Sequence, residues 1–322
     1  KDSKVKILMG DDPSLKLEYI STGIESFDRI TGGGIPKRRY TIFVGADSSG
    51  KSTLSALCAR SVQEQKGKVS YIDIEDTFDP QWWEKIGVNL SDLIYIKTNT
   101  AEPIFDTIGE LCKQKIDLII LDSIAALIPE EDLKHKAEEK SVATLARIVN
   151  ISLRRIIQHN ENSAIILINQ FRQGIGGYIP EKILPGGLGQ RFEASLICDI
   201  SKGDPIVAPS KKREGSQQKE NKRYRRESIG YFMNIYVSKS KICIPFRSCK
   251  IPVYFDGRID PFYDIFERAL EKNIIERSGP TYRFDTYKFI GQQSFLAALK
   301  EDKTLIQELR ERLEKEEENG RV

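Results

Sequence analysis

Residues Gly45-Ala46-Asp47-Ser48-Ser49-Gly50-Lys51-Ser52 match the pattern G-x-x-x-x-G-K-[ST] in full, and no other stretch of this 322-residue sequence narrows its fold as much. The pattern needs a setting: an apolar strand must enter it and a helix must leave it, so that backbone N–H groups curl around a phosphate at the positive end of the helix dipole. Both are present, as Thr-Ile-Phe-Val-Gly at 41–45 and a helical stretch over 51–65. In that setting Gly45, Asp47, Ser48, Ser49, Gly50 and Thr53 line the phosphates of ATP. Lys51 reaches the β and γ oxygens, and the Ser52 hydroxyl joins the Mg2+ shell. A chance match at a strand–helix turn is the bland alternative, and the flanking pattern counts against it.

The rest of the first 200 residues fits the same frame. Apolar, β-branched runs at 69–75, 93–97, 117–123 and 164–169 read as buried strands. Helical stretches at 103–114 and 142–159 fall between them. Strands alternating with helices predict βαβ crossovers and a mostly parallel sheet covered on both faces. Two further runs, 195–201 and 231–239, are expected to extend that sheet antiparallel. After Gly257 the pattern shortens to a helix, a turn at Ser278-Gly279-Pro280, a short strand pair and a second helix, ending in a charged helix over 305–318. The predicted fold class is α/β, a P-loop ATPase core with a small C-terminal α/β domain. Residues 1–36 are taken as a lead-in, 37–257 as the core and 258–322 as the C-terminal domain.

Bulk composition excludes more than it proves. Apolar residues at 39% and charged residues at 30% describe an ordinary globular chain, and no apolar run reaches the roughly 18 residues that cross a bilayer. No membrane partner is expected. The polar start carries no apolar signal core, so nothing points to export, and the missing initiator Met fits a processed or trimmed chain. Five scattered cysteines and two histidines cannot assemble a zinc site, and isolated thiols point to a reducing cytoplasm. The net charge of +3 is too small to identify a partner, but segment 208–227 packs eight Lys and Arg against three Glu. It reads as a solvated basic loop.

Two carboxylates complete the expected nucleotide site. Asp122 ends the apolar run that begins at Asp117, as a carboxylate holding Mg2+ through water would. Buried strands often end in Asp for capping reasons, so the pairing with the P-loop carries the reading. Glu75 follows the second strand, on the carboxyl side where ligands of open parallel sheets bind, and can orient an attacking water.

Together these residues resemble the bacterial RecA recombinase family over nearly the whole chain. The resemblance rests on 20–28 with Gly32-Gly33-Gly34-Ile35-Pro36, on Glu75-Asp76-Thr77-Phe78-Asp79-Pro80, on 121–127, and on Ile168-Asn169-Gln170-Phe171-Arg172. It implies that Glu75 is the catalytic glutamate, that Trp82 packs against adenine and that Asp79 lies near the base. It implies that Gln170 senses the γ-phosphate at the head of a DNA-binding loop, 171–190, which holds six glycines. Arg172 would then contact phosphate, Ile175 would wedge between bases, and Gly186 and Gly187 would let the DNA backbone approach. A first DNA loop would occupy 130–141, with Val142 as its inserted apolar side chain. Arg147 and Arg154, seven apart on one helical face, would meet two phosphates. Lys239 and Lys241 would reach the ATP of the neighbouring subunit, and Phe192 would relay between subunits. The family's polymerisation helix is absent from 1–36, and its acidic tail is reduced to Glu314, Glu316, Glu317 and Glu318.

The resemblance implies ATP and Mg2+ as cofactors, single-stranded and duplex DNA as partners, and self-association into a helical filament that pairs and exchanges strands. The basic loop 208–227 would capture a second strand by neutralising phosphates without reading sequence. Two readings compete. A ring helicase shares the P-loop and Walker B Asp, although the domain after Tyr254-Phe255-Asp256-Gly257 counts against it; a DNA-bound filament scaffold would activate partner proteins with hydrolysis incidental. An archaeal or eukaryotic recombinase relative fits less well, because no helix-hairpin-helix domain precedes the core.

Overall fold

The computed structural model describes residues 7–134, 142–173, 182–207 and 227–319. In chain order its elements are β1 (Tyr19–Ile20), α1 (Glu25–Thr31), β2 (Ile35–Pro36), β3 (Tyr40–Gly45), α2 (Lys51–Glu64), β4 (Val69–Asp73), α3 (Pro80–Ile86), β5 (Leu93–Lys97), α4 (Ala101–Lys113), β6 (Leu118–Asp122), α5 (Glu130–Lys134) and α6 (Val142–His159). They continue with β7 (Ala164–Gln170), β8 (Arg172–Gln173), β9 (Lys182–Ile183), α7 (Leu188–Glu193), β10 (Leu196–Val207), β11 (Ser228–Ser240) and β12 (Ser248–Tyr254). The last are α8 (Pro261–Glu271), β13 (Glu276–Ser278), β14 (Thr281–Phe284), β15 (Tyr287–Ile290), α9 (Gln292–Glu301) and α10 (Lys303–Asn319).

The chain divides into two compact units. One is Lys1–Gly23, Phe27–Ser201 and Tyr236–Ser248; the other is Ile24–Ser26, Lys202–Ile235 and Cys249–Val322. The main sheet has eight strands in the order β12-β11-β10-β3-β7-β6-β4-β5. From β10 to β5 every pairing is parallel. Successive side chains of each strand turn to opposite faces of this sheet. On β3, Tyr40, Ile42 and Val44 join the cluster with Ile104, Ile108, Val149 and Leu153 from α4 and α6. Phe43 points the other way and meets Phe27 edge-on at 6.1 Å. Both faces are therefore covered, and β3, β4 and β6 are buried along their whole length. Each large apolar side chain so buried contributes roughly 1.5–3 kcal/mol.

Two strand expectations are corrected. The run 195–201 does not enter antiparallel: β10 pairs parallel with β3, Leu196 opposite Thr41. The segment after β7, which includes β8, β9 and α7, is long enough to carry the chain back before β10 starts, as a parallel crossover requires. The run 93–97 is a strand, but an edge strand, with Ile94 and Tyr95 about two-fifths exposed.

In the second unit, α8, α9 and α10 pack with the antiparallel sheet β13-β14-β15. Phe266, Phe295, Leu305 and Leu309 form the buried centre. The turn expected at Ser278-Gly279-Pro280 joins β13 to β14, with Gly279 at φ +58°.

Candidate nucleotide site and strand-binding face

Strand register assembles the site. Gly45 at the end of β3 lies opposite Gln170 at the end of β7, and Asp73 at the end of β4 lies opposite Asp122 at the end of β6. Four strand ends are thus aligned along the carboxyl edge of the sheet, where open parallel sheets bind ligands.

The loop from Gly45 to Lys51 is shaped for an anion. Ser48 and Gly50 both take left-handed backbone, with φ of +56° and +100°, and successive residues bent this way point N–H groups into one concavity. Gly50 is the N-cap of α2 with no side chain on the helix end. Gly45 has no room for a side chain, because a Cβ there would lie 2.2 Å from the Ile200 carbonyl oxygen. Ser49 is buried, and its hydroxyl has no protein partner among the described residues. Lys51 lies folded onto the loop, donating to the Ala46 carbonyl at 2.8 Å and the Gly45 carbonyl at 3.3 Å. Burial lowers its pKa, while Asp122, Asp47 and Glu75 pull the other way. This cradle, with an orphaned buried hydroxyl and a desolvated ammonium, fits a bound phosphate.

Ser52 and Asp122 face each other. Ser52 Oγ donates to Asp122 Oδ2 at 2.6 Å, and Tyr71 OH donates to the same oxygen at 2.9 Å. Burial raises the Asp122 pKa, the two hydroxyl bonds oppose that, and Glu75 and Asp73 add to it. Among the described residues no three His, Cys, Asp or Glu side chains gather into a metal cage. A hydroxyl beside one carboxylate instead suits Mg2+ carried in on phosphates, which keeps much of its water shell.

Glu75 lies just beyond β4. Ser123 donates a very short hydrogen bond to its Oε1, and Gln170 Nε2 donates to the same oxygen at 3.4 Å. The carboxylate of Glu75, the amide of Gln170 and the hydroxyl of Ser123 therefore meet from the ends of three strands. Asp79 caps α3, accepting from the Trp82 amide at 3.1 Å. The Trp82 indole N–H reaches Thr53 Oγ1 at 3.3 Å, so the ring lies against the first turn of α2.

Helix α7, packed on α6, gathers several of the remaining residues. Lys239 Nζ donates to the carbonyls of Arg191, Phe192 (2.9 Å) and Ala194 (3.0 Å), and Lys241 Nζ donates to the Glu193 carbonyl at 3.3 Å. Within the chain both ammoniums satisfy the open carbonyl end of α7, which favours cations. Burial lowers the Lys239 pKa, with Lys241 and Arg191 adding to that and Glu193 opposing it. Phe192 stands 68% exposed. Arg147 and Arg154 are both exposed on α6, and Arg154 Nε pairs with Glu193 Oε1 at 3.1 Å.

Gly186 and Gly187 take φ of +83° and +82°. A Cβ on Gly186 would meet Ile124 and Gln190 at 2.9 Å, and one on Gly187 would meet Ala146 Cβ at 2.8 Å. These glycines let the α7 segment approach α6 closely. The loop expected over 171–190 contains the paired strands β8 and β9, Arg172 opposite Ile183, and the start of α7. Ile175 lies outside the described residues, as do the side chains of Arg172 and Val142 and nearly all of 208–227. The first expected loop begins as α5, and 135–141 lies outside the described residues.

Sequence reasoning missed Ser123, Tyr71, Asp73 and Glu193. Asp73 is buried and accepts from Phe78 N and Tyr95 OH, both at 3.1 Å, which anchors the segment leading from Glu75 to Asp79. Its place at a strand end beside Glu75 was the available signal; Glu193 offered none.

A family model described as the RecA N-terminal domain matches residues 2–260. "Protein RecA" of Thermus aquaticus is 29% identical over 310 residues, covering 94% of this chain and 86% of that protein. "Protein RecA" of Mesomycoplasma hyopneumoniae strain J is 30% identical over 321 residues, covering 97% of this chain and 90% of that protein. "Protein RecA" of Gloeobacter violaceus is 28% identical over 306 residues, 94% of this chain and 79% of that protein.

Proposed function

This chain belongs to the RecA family, and we propose on that premise that it is an ATP-dependent DNA recombinase whose hydrolysis is coupled to strand binding through Gln170. The observation that carries the coupling is the position of Gln170. Its amide touches Glu75, and the loop expected to hold DNA begins at the next residue, with Arg172 second in it. A γ-phosphate that draws this amide away from Glu75 moves the start of that segment with it.

ATP lies across Gly45–Lys51, with Lys51 on the β and γ oxygens and Trp82 and Asp79 toward the base. Ser52 and Asp122 would hold Mg2+, which would supply charge neutralisation on the phosphoryl oxygens. Glu75 accepts the proton of the attacking water, and Ser123 and Gln170 fix its carboxylate. Lys239 and Lys241 of one subunit face the nucleotide of the next and stabilise charge in transfer, as an arginine finger does. Arg147, Arg154, Arg172, Ile175, Val142, Gly186 and Gly187 form the strand-binding face, with Phe192 between subunits. The partners are single-stranded DNA, duplex DNA and further copies of the chain in a filament. Among the described residues no helix is long and apolar enough to cross a membrane, and the scattered cysteines fit work in a reducing cytoplasm.

The test is ATP hydrolysis with and without single-stranded DNA, using Lys51→Ala as the blank, followed by strand exchange. Stimulation that the blank abolishes, together with exchange, is the expected result. Unwinding without exchange would favour a ring helicase, and no stimulation would remove the coupling.

A further inference from the structure

Helix α7 is held from three directions, and Glu193 takes part in two of them. At its start, Asn169 Nδ2, one residue before Gln170, donates to Gln190 Oε1 at 3.1 Å. Along its carbonyl edge, Tyr40 OH donates to the Gln190 carbonyl at 2.9 Å, and Lys239 and Lys241 take the carbonyls from Arg191 to Ala194. On its flank, the Glu193 carboxylate holds Arg154 of α6. One residue therefore offers its carbonyl to a lysine and its side chain to an arginine of the strand-binding face.

We propose that Glu193 is a positioning residue that links the two: its carboxylate competes with a DNA phosphate for Arg154, and its loss of Arg154 loosens α7 under Lys239 and Lys241. This rests on the recombinase reading above. The side chains of Arg154 and Glu193 are 65% and 34% exposed, and an ion pair so placed is weak and screened by salt. A strand phosphate, which a guanidinium grips bidentately, can displace it. Once the carboxylate is free, α7 loses its ion pair with α6 and keeps only the packing of its glycines there, so the carbonyls under the two ammoniums are held less firmly. Lys239, partly desolvated and repelled by the neighbouring Lys241, then favours leaving for a phosphate on the next subunit. The link is reciprocal, so lysines drawn to a nucleotide also free Arg154 for DNA. Electrostatics agree with the placement: the Glu193 charge is felt by both Tyr40 and Lys239, and Arg154 opposes it at Tyr40.

The experiment uses the full chain with Mg-ATP and a fluorescent oligo-dT strand. It compares wild type, Glu193→Gln, Arg154→Gln and the double variant. Glu193→Gln should bind the strand about two- to fivefold tighter, the scale of one exposed ion pair. It should also hydrolyse ATP faster without DNA, so that the stimulation ratio falls. Arg154→Gln should cost more affinity in the Glu193→Gln background than in wild type, because only there is the arginine fully available. Glu193→Asp, which keeps the carboxylate, should restore part of both effects, and a merely structural role would not. An equal Arg154→Gln penalty in both backgrounds, with an unchanged stimulation ratio, overturns the proposal while leaving the recombinase reading intact. A wild type that neither binds the strand nor responds to it overturns both.

Discussion

Ser52 Oγ and Asp122 Oδ2 lie 2.6 Å apart, so the two groups proposed to share Mg2+ already touch. The contact spans from the first turn of α2 to the end of β6, and Tyr71 closes it from β4. Asp122 is buried, and burial raises its pKa above the ordinary carboxylate range. A carboxyl with a raised folded pKa stabilises the fold while protonated and loses that contribution as pH rises through the raised value.

Asp122→Asn should therefore behave oppositely in two assays. Without nucleotide, the variant should melt higher than wild type near neutral pH, and the gap should shrink as pH falls and wild-type Asp122 takes up its proton. With nucleotide, Mg2+-dependent hydrolysis should fall about 10- to 100-fold, the usual cost of losing a group that orients a metal's shell. Thermal melts from pH 4 to 8, with a Mg2+ titration of hydrolysis, check both. A variant less stable than wild type at every pH would mean that the hydroxyl bonds outweigh burial.

Glu75→Gln keeps shape and hydrogen bonding but cannot accept a proton. The turnover rate should fall by about 10²–10⁴, the range for a lost general base, with ATP affinity changed little. Single-turnover hydrolysis beside equilibrium nucleotide binding measures each. A rate within tenfold of wild type would assign the water to another group. DNA complexes formed with ATP should also outlast those of wild type, because hydrolysis is the proposed route to release.

Trp82 and Trp83 are the chain's two tryptophans, and only Trp83 is fully buried in the core. Trp82 lies against Thr53 with its indole N–H as a hydrogen-bond donor. If adenine packs on Trp82, ATP should shift the intrinsic emission, and Trp82→Phe should remove that shift and weaken nucleotide binding by several fold, as loss of part of a stacking surface does. A shift that persists in Trp82→Phe would locate the change at Trp83 and leave the base elsewhere.

Much of this architecture is written locally. The P-loop, the strands at β3, β4, β6 and β7 and the helix α6 follow from spacing, because a two- or 3.6-residue period needs no knowledge of neighbours. Register is not local. Ser123 and Gln170 meet Glu75 only because β6 and β7 follow β4 in the sheet order, which no single segment encodes. The edge position of β5 and the parallel entry of β10 are hidden for the same reason. Lys239 and Lys241 stood out only through resemblance, and their docking on α7 was not legible at all. Glu193 sits in an ordinary helix end, and only the three-dimensional approach of α6 gives it a partner.

The glycines of the α7 approach separate two roles that sequence alone merges. Gly186 and Gly187 were expected to open the way for a DNA backbone, yet both have left-handed φ, and a Cβ on Gly187 would strike Ala146 on α6. Gly187 combines φ +82° with ψ 170°, a region held almost only by glycine that costs a residue with a Cβ roughly 1–3 kcal/mol, and the overlap with Ala146 adds a penalty of about 1–3 kcal/mol. Gly187→Ala should therefore lower the melting temperature without any nucleic acid present, on the order of 5 °C, because each kcal/mol moves a domain of this size by a few degrees. The companion change Ala146→Gly costs about 1 kcal/mol by itself in a helix interior, but it removes the struck methyl, so measured against that single variant it should recover the overlap part of the loss and leave the backbone part. If Gly187 instead served the close approach of DNA, Gly187→Ala would show the backbone part of the loss alone together with weaker strand binding, and Ala146→Gly would rescue nothing. Melting curves of the two single variants and the double variant, each with and without oligo-dT, distinguish packing against α6 from contact with the strand.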